Sequence, residues 1–170
     1  MRKPKKLPIA IHEDEFVKLI QNTKYEHWKI AFLLGFGAGM RISEVVKLEP
    51  RDINMQEKSM FIRQAKGSKD RIVPMPKGLM PKHLKHLPMK CGARALQSAF
   101  KKTCEKAGLL ELKPELHFHS LRHGFANQCV SNGMPIHHLR TLMGHSNIST
   151  TNVYLELNPV NALKSYQEFF

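Results

Sequence analysis

The residue types best suited to act on a phosphate ester gather in the C-terminal half, where His119-Ser-Leu-Arg122-His123 is followed by Gly144-His145 and then by Thr150-Thr-Asn-Val-Tyr154. A phosphodiester attacked in line gathers negative charge on its non-bridging oxygens, and fixed cations must meet it. Arg122 and, far upstream, Arg41 suit that task, because guanidinium is planar and can give a phosphate two parallel hydrogen bonds. His119 and His145 can add donors or exchange protons, since an imidazole ordinarily titrates near pH ~6.5. Tyr154 is the candidate nucleophile; a phenol titrates near pH ~10, so it needs cationic neighbours to lose its proton as it attacks.

Each of these residues has a plainer reading. Arg41 is also a helix-end arginine placed to pair with Glu44 one turn on, which makes Glu44 a structural partner that orients it. Lys66 and Lys69 are ordinary solvated turn lysines. Tyr154 on a helix can be half-buried packing, and His123 can be a packed helix histidine or a site residue. His119 and His123 stand four apart, as helical metal ligands do, but a metal would need further ligands and Arg122 between them would repel it. His117 offers a second register for the first histidine, although only His119 stands three before Arg122.

The whole composition favours a polyanionic partner. Lys and Arg number 27 against 14 acidic residues in 170, a formal charge of +13, which suits nucleic acid. The length fits one domain with a real core. No apolar run approaches the ~18 residues of a membrane span, and the start MRKPKKLP lacks the apolar stretch of a secretory signal, so a cytoplasmic protein is expected. Cys91, Cys104 and Cys129 are odd in number and widely spaced, which indicates reduced thiols rather than a disulfide framework or a cysteine zinc site. Gly35, Gly37 and Gly39 lack the spacing and the preceding strand of a dinucleotide fingerprint.

The elements that must position these residues can be read from periodicity. Residues 1–8 form a basic, proline-containing tether, and residues 9–170 one further domain. His12 to Asn22 reads as an amphipathic helix with acidic residues in its first turn, although His12 is a poor N-cap. Trp28 to Met40 is an almost wholly apolar buried helix, and a second runs from about Ile42 to Leu48. Ser59 to Gln64 and Arg71 to Met75 pair as a β-hairpin with Lys66 and Lys69 near its tip. Residues 76–90 are expected to be mostly loop. Helices follow over Ala93 to Ala107, His119 to Ser131, Pro135 to Met143, Ser149 to Leu157 and Pro159 to Phe169, three of them closed by Gly108, Gly133 and Gly144. The expected class is α+β, mostly helical with a small antiparallel sheet. Helix, glycine turn and helix over Pro135 to Leu157 also describes a helix-turn-helix DNA reader, a binding module without chemistry.

H-x-L-R-H, L-x-G-H and T-T-x-x-Y, in that order, resemble the signature of tyrosine recombinases and phage integrases. Gly39-Met-Arg41-Ile-Ser-Glu44 is similar to the family's first arginine segment, and Ala65-Lys66-Gly67-Ser-Lys69-Asp-Arg71 to its lysine hairpin, with alanine where glycine is common. The resemblance runs from about residue 7 to 157. It implies site-specific cleavage and rejoining of double-stranded DNA through a 3′-phosphotyrosyl intermediate on Tyr154, with a free 5′ hydroxyl. It implies phosphate stabilisation by Arg41, His119, Arg122 and His145, and Lys66 as general acid on the leaving oxygen, with Lys69 the runner-up. No metal, cofactor or small-molecule substrate is implied, and four protomers are expected to assemble on DNA. Topoisomerase-like nicking and closing is the nearest enzymatic alternative. Family members usually carry an N-terminal helical domain that clamps the opposite face of DNA, and its absence from this sequence is a further expectation.

Overall fold

The computed structural model describes residues 8–63 and 70–144. The basic tether, Lys66 and Lys69 at the hairpin tip, His145, Tyr154 and the two helices expected beyond residue 148 lie outside the described residues.

Seven helices and a three-stranded sheet occur among the described residues: α1 (Glu13–Asn22), α2 (Glu26–Ala38), α3 (Ile42–Lys47), β1 (Ile53–Asn54), β2 (Ser59–Ile62), β3 (Arg71–Pro74), α4 (Ala93–Lys106), α5 (Leu109–Leu112), α6 (His119–Ser131) and α7 (Ile136–Met143). Short 3-10 turns at Pro50–Asp52 and Pro81–His86 complete the order. The class is α+β and mostly helical, as the periodicity indicates.

α2 is the central helix because its sequence leaves it no polar face: Ile30, Ala31, Phe32, Leu34, Phe36 and Ala38 are all buried. Phe32 meets Phe100 of α4 edge to face, ring centroids 5.5 Å apart, and Phe118 joins them at 6.3 Å from Phe32. Each ring removed from water contributes roughly 1.5–3 kcal/mol, and the paired geometry adds about 0.5–1.5 kcal/mol. His12 is the N-cap of α1, and its N–H donates to Glu15 Oε2 at 2.8 Å, half of a capping box that compensates for the weak cap.

α2 and α6 cross closely, and two glycines permit it. Gly39 ends α2 in the left-handed conformation, φ 64°, against the ring of Phe125. Gly124 lies where the segment before α1 runs across α6: the Ile11 N–H donates to the Ser120 carbonyl at 3.1 Å, and a Cβ on Gly124 would collide with the Ile11 carbonyl oxygen. A smaller apolar cluster, Phe125, Ala126, Cys129 and Val130 of α6 with Leu139 and Met143 of α7, holds α7 to α6.

The strands run antiparallel in the order β1-β2-β3. Met60 faces Val73 and Ile62 faces Arg71 on the inner side, while Phe61 and Ile72 pair on the outer side. The expected hairpin is therefore present as β2 and β3, with β1 as a third strand too short to show a period. Residues 76–90 differ from the expected loop. Pro81 opens a 3-10 turn, for which a residue without an N–H is suited, and Leu79, His83, Leu87 and Met89 are buried. α5, four residues long, was also below the reach of periodicity. Cys104 and Cys129 are buried and Cys91 half-buried. Burial pushes the Cys104 thiol up to about 12 and the Cys129 thiol up to about 11, so both are protonated at neutral pH.

Gly124→Ala should cost about 1–3 kcal/mol by forcing α6 from the segment before α1, while Gly92→Ala, with open space around its Cβ, should change stability by less than about 1 kcal/mol. Urea unfolding of the two variants checks the contrast.

Candidate active site

Three arginines converge on the last turn of α7. Arg41 stands at the N-cap of α3, two residues after the left-handed turn at Gly39. Arg71 is the first residue of β3, and strand alternation turns it inward with Val73. Arg122 sits one turn into α6 and is only 3% exposed. Their donors meet consecutive backbone carbonyls: Arg71 Nε donates to Leu142 O at 2.7 Å, Arg122 Nη2 to Met143 O, and Arg41 Nη2 to Gly144 O at 3.2 Å. Arg122 Nη1 also donates to the Gly39 carbonyl. Carbonyls at a helix C-terminus lack intrahelical partners and carry the negative end of the helix dipole, so guanidiniums are their natural complement.

Glu44 joins two of these arginines. Its carboxylate accepts Arg41 Nη1 at 2.9 Å and the Arg41 backbone N–H at 2.8 Å, and both terminal nitrogens of Arg71 at 2.8 Å. Burial alone would push the carboxyl up, but the Arg71 hydrogen bonds, the Arg41 backbone N–H and the charge of Arg71 outweigh it. Together they hold Glu44 down to about 2, against its ordinary 4.5. Glu44 thus orients Arg41, as its spacing suggests, and orients Arg71 as well. Three guanidiniums against one carboxylate leave the cluster positive and ready for an anion.

His119 opens α6 one turn before Arg122, on the same helical face. Burial, the charge of Arg122, His117 and Arg41 lower its pKa below the ordinary 6.5, so it is neutral at pH 7. His123 is pushed down to about 4 by burial and then by His117, His119 and Arg122, which makes it a packed, neutral imidazole. His117 is exposed, and its Nδ1 lies 3.1 Å from the Glu115 carbonyl. Among the described residues no group of three or more His, Cys, Asp or Glu is placed to hold a metal ion.

Of the residues singled out by type and spacing, Arg41, His119 and Arg122 are brought together with Glu44, and the described residues end one before His145. Lys66, His145 and Tyr154 lie outside the described residues. Sequence reasoning missed Arg71 as a member of the cluster. The alternation that buries Val73 was the available signal.

Residues 10–160 match the model of the phage integrase family. The chain belongs to that family. A similar relative is the tyrosine recombinase XerA of Pyrococcus horikoshii, 31% identical over 172 residues that cover 91% of this chain and 59% of the relative. The chain therefore spans about three-fifths of that relative's length. Its fold is that of the catalytic domain of bacteriophage HP1 integrase, with a TM-score of 0.69 and 23% identity, covering 93% of each chain. It is also that of the site-specific recombinase XerH, solved bound to a palindromic difH substrate after cleavage, with a TM-score of 0.72 and 20% identity over 95% of this chain and 53% of that one. In this integrase-family chain no helix among the described residues is long and apolar enough to cross a membrane.

A buried carboxylate held so far below its unfolded value contributes stability that is fully present above pH 4.5 and is lost as the pH falls through about 2. The stability gap between wild type and Glu44→Gln should be constant above pH ~5 and close by about 3 kcal/mol on acidification. Urea unfolding at a series of pH values measures it; a gap that does not change with pH would remove Glu44 from its assigned charge state.

Proposed function

We propose that this chain is the catalytic domain of a site-specific DNA recombinase that cuts and rejoins double-stranded DNA through Tyr154. The observation that carries the reading is the junction of Arg41 and Arg122 at the end of α7, one residue before His145 in the chain, with His119 one turn before Arg122 on α6. A phosphate bound there would meet two guanidiniums whose orientation is already set, so their donors cost little reorganisation as charge develops.

In this reading Tyr154 Oη attacks the scissile phosphorus, the bond to the 5′ oxygen breaks, and Lys66 gives that oxygen its proton. The products are a 3′-phosphotyrosyl ester and a free 5′ hydroxyl, so the ester bond is conserved for rejoining. Neutral His119 can take the phenolic proton or donate to a phosphate oxygen, and His145 adds a second imidazole. The formal charge of +13 supplies the long-range attraction to DNA. Residues 9–170 would form the catalytic unit, working beside a DNA-clamping domain and assembling as four copies on DNA in the cytoplasm. A helix-turn-helix reader would have no need of an arginine cluster at the end of its first helix, and topoisomerase-like nicking differs only in the absence of strand exchange.

The test is covalent capture on a pool of nicked duplexes randomised around the nick, from which the short cleaved strand diffuses away. Wild type should form a detergent-stable protein–DNA adduct, Tyr154→Phe none, and Arg122→Lys roughly 10²-fold less per unit time. An adduct on Tyr154→Phe would assign the nucleophile elsewhere. No adduct on any variant would overturn the recombinase reading.

A further inference from the structure

Arg71 is the one member of the cluster for which the proposed chemistry has no part. Both of its terminal nitrogens lie on the Glu44 carboxylate, whose charge it neutralises and which would repel a phosphate brought to the same edge. All three of its nitrogens are engaged with protein: Nη1 and Nη2 on the two oxygens of Glu44, and Nε on the Leu142 carbonyl. We infer that Arg71 is a positioning residue for strand cleavage, locking the root of the β2–β3 hairpin, the Arg41–Glu44 pair and the end of α7 into one rigid unit.

The energetics of its location argue against a merely structural role. Arg71 faces Ile62 across the sheet and shares the inner side with Val73, a site an apolar side chain would fill without desolvating a charge. Burying a guanidinium there is expensive, and an apolar replacement of a buried ion pair is often neutral or stabilising. Glu44 would not be left alone by such a replacement, because Arg41 already pairs with it. What an apolar residue cannot supply is direction. A guanidinium presents a planar fork to Glu44 and a third donor, Nε, to a different helix, so it sets two neighbours relative to each other.

The neighbours so linked are those that carry the reacting groups. Lys66 precedes Arg71 by five residues in the chain, Arg41 shares Glu44 with it, and His145 follows by three residues the carbonyl that it holds. Reaction requires all three to meet one phosphate, and a displacement of about 1 Å from the reacting geometry can cost on the order of 100-fold in rate.

The inference rests on the recombinase reading, and the experiment separates the two. Adduct formation on the nicked pool is followed under single-turnover conditions over a range of protein concentration for wild type, Arg71→Lys and Arg71→Met. Arg71→Met keeps the packed stem and removes the donors. The saturating rate constant should fall by about 100-fold in Arg71→Met and by less in Arg71→Lys, with the half-saturating concentration within about twofold of wild type. A structural role would instead reduce the amount of active protein and leave the rate constant of the folded fraction unchanged, and that result overturns the proposal. So does a loss confined to the half-saturating concentration.

If wild type forms no adduct, the recombinase reading has failed, and the role of Arg71 is then decided with orthovanadate alone. Its binding is followed by the guanidinium nitrogen signals of Arg41 and Arg122. Binding at least about fivefold weaker in Arg71→Met upholds the positioning role; equal binding, or none to either protein, overturns it.

Discussion

The interaction on which the rest of the site depends is the Glu44 carboxylate shared by Arg41 and Arg71. A carboxylate this deeply buried would be costly if it were alone, and two guanidiniums plus a backbone N–H more than compensate. Once ionised it dictates direction. It turns Arg41 toward the end of α7 and fixes Arg71 at the inner edge of the sheet, so that helix α3, strand β3 and helix α7 meet at a single charge.

A second constraint is apolar. α2 and α6 pack through Gly39 and Gly124 with the Phe32, Phe100 and Phe118 rings behind them, and that crossing sets Gly39 beside Arg122. The Gly39 carbonyl, freed by the left-handed turn, then accepts from Arg122, which also holds the Met143 carbonyl. Hydrophobic packing thereby determines where a buried cation points. The three arginines engage the carbonyls of residues 142, 143 and 144 in order, so the helix C-terminus serves as the template on which the cationic site is organised.

Much of this was legible in the amino-acid sequence, for local reasons. Three-residue spacings on helices, Arg41 to Glu44 and His119 to Arg122, translate directly into shared faces, and the glycines after α2, α4, α6 and α7 mark their ends. The apolar run of α2 announced its burial, although its boundaries lay two residues earlier than the run suggested, because Glu26 extends the first turn and Gly39 stops the last. The rest depended on contacts between distant segments. Arg71 reads as a solvated strand residue until the alternation with Val73 is taken seriously, and no side-chain pattern reveals that backbone carbonyls 142–144 are its partners and those of Arg41 and Arg122. The 3-10 turn at Pro81–His86 was equally hidden, since its burial follows from the surface left open by its neighbours rather than from a period of its own.

The most direct measurement of the central claim is the coupling between Glu44 and Arg71, obtained from the unfolding free energies of Glu44→Gln, Arg71→Met and the double variant at neutral pH. If the shared carboxylate organises the site, Glu44→Gln strands the buried Arg71 guanidinium whereas Arg71→Met leaves Glu44 paired with Arg41, so the double variant is less damaged than the sum of the singles by about 2 kcal/mol or more. Additivity within about 0.5 kcal/mol would contradict it, leaving Glu44 and Arg71 as neighbours whose contact does not hold the structure in place.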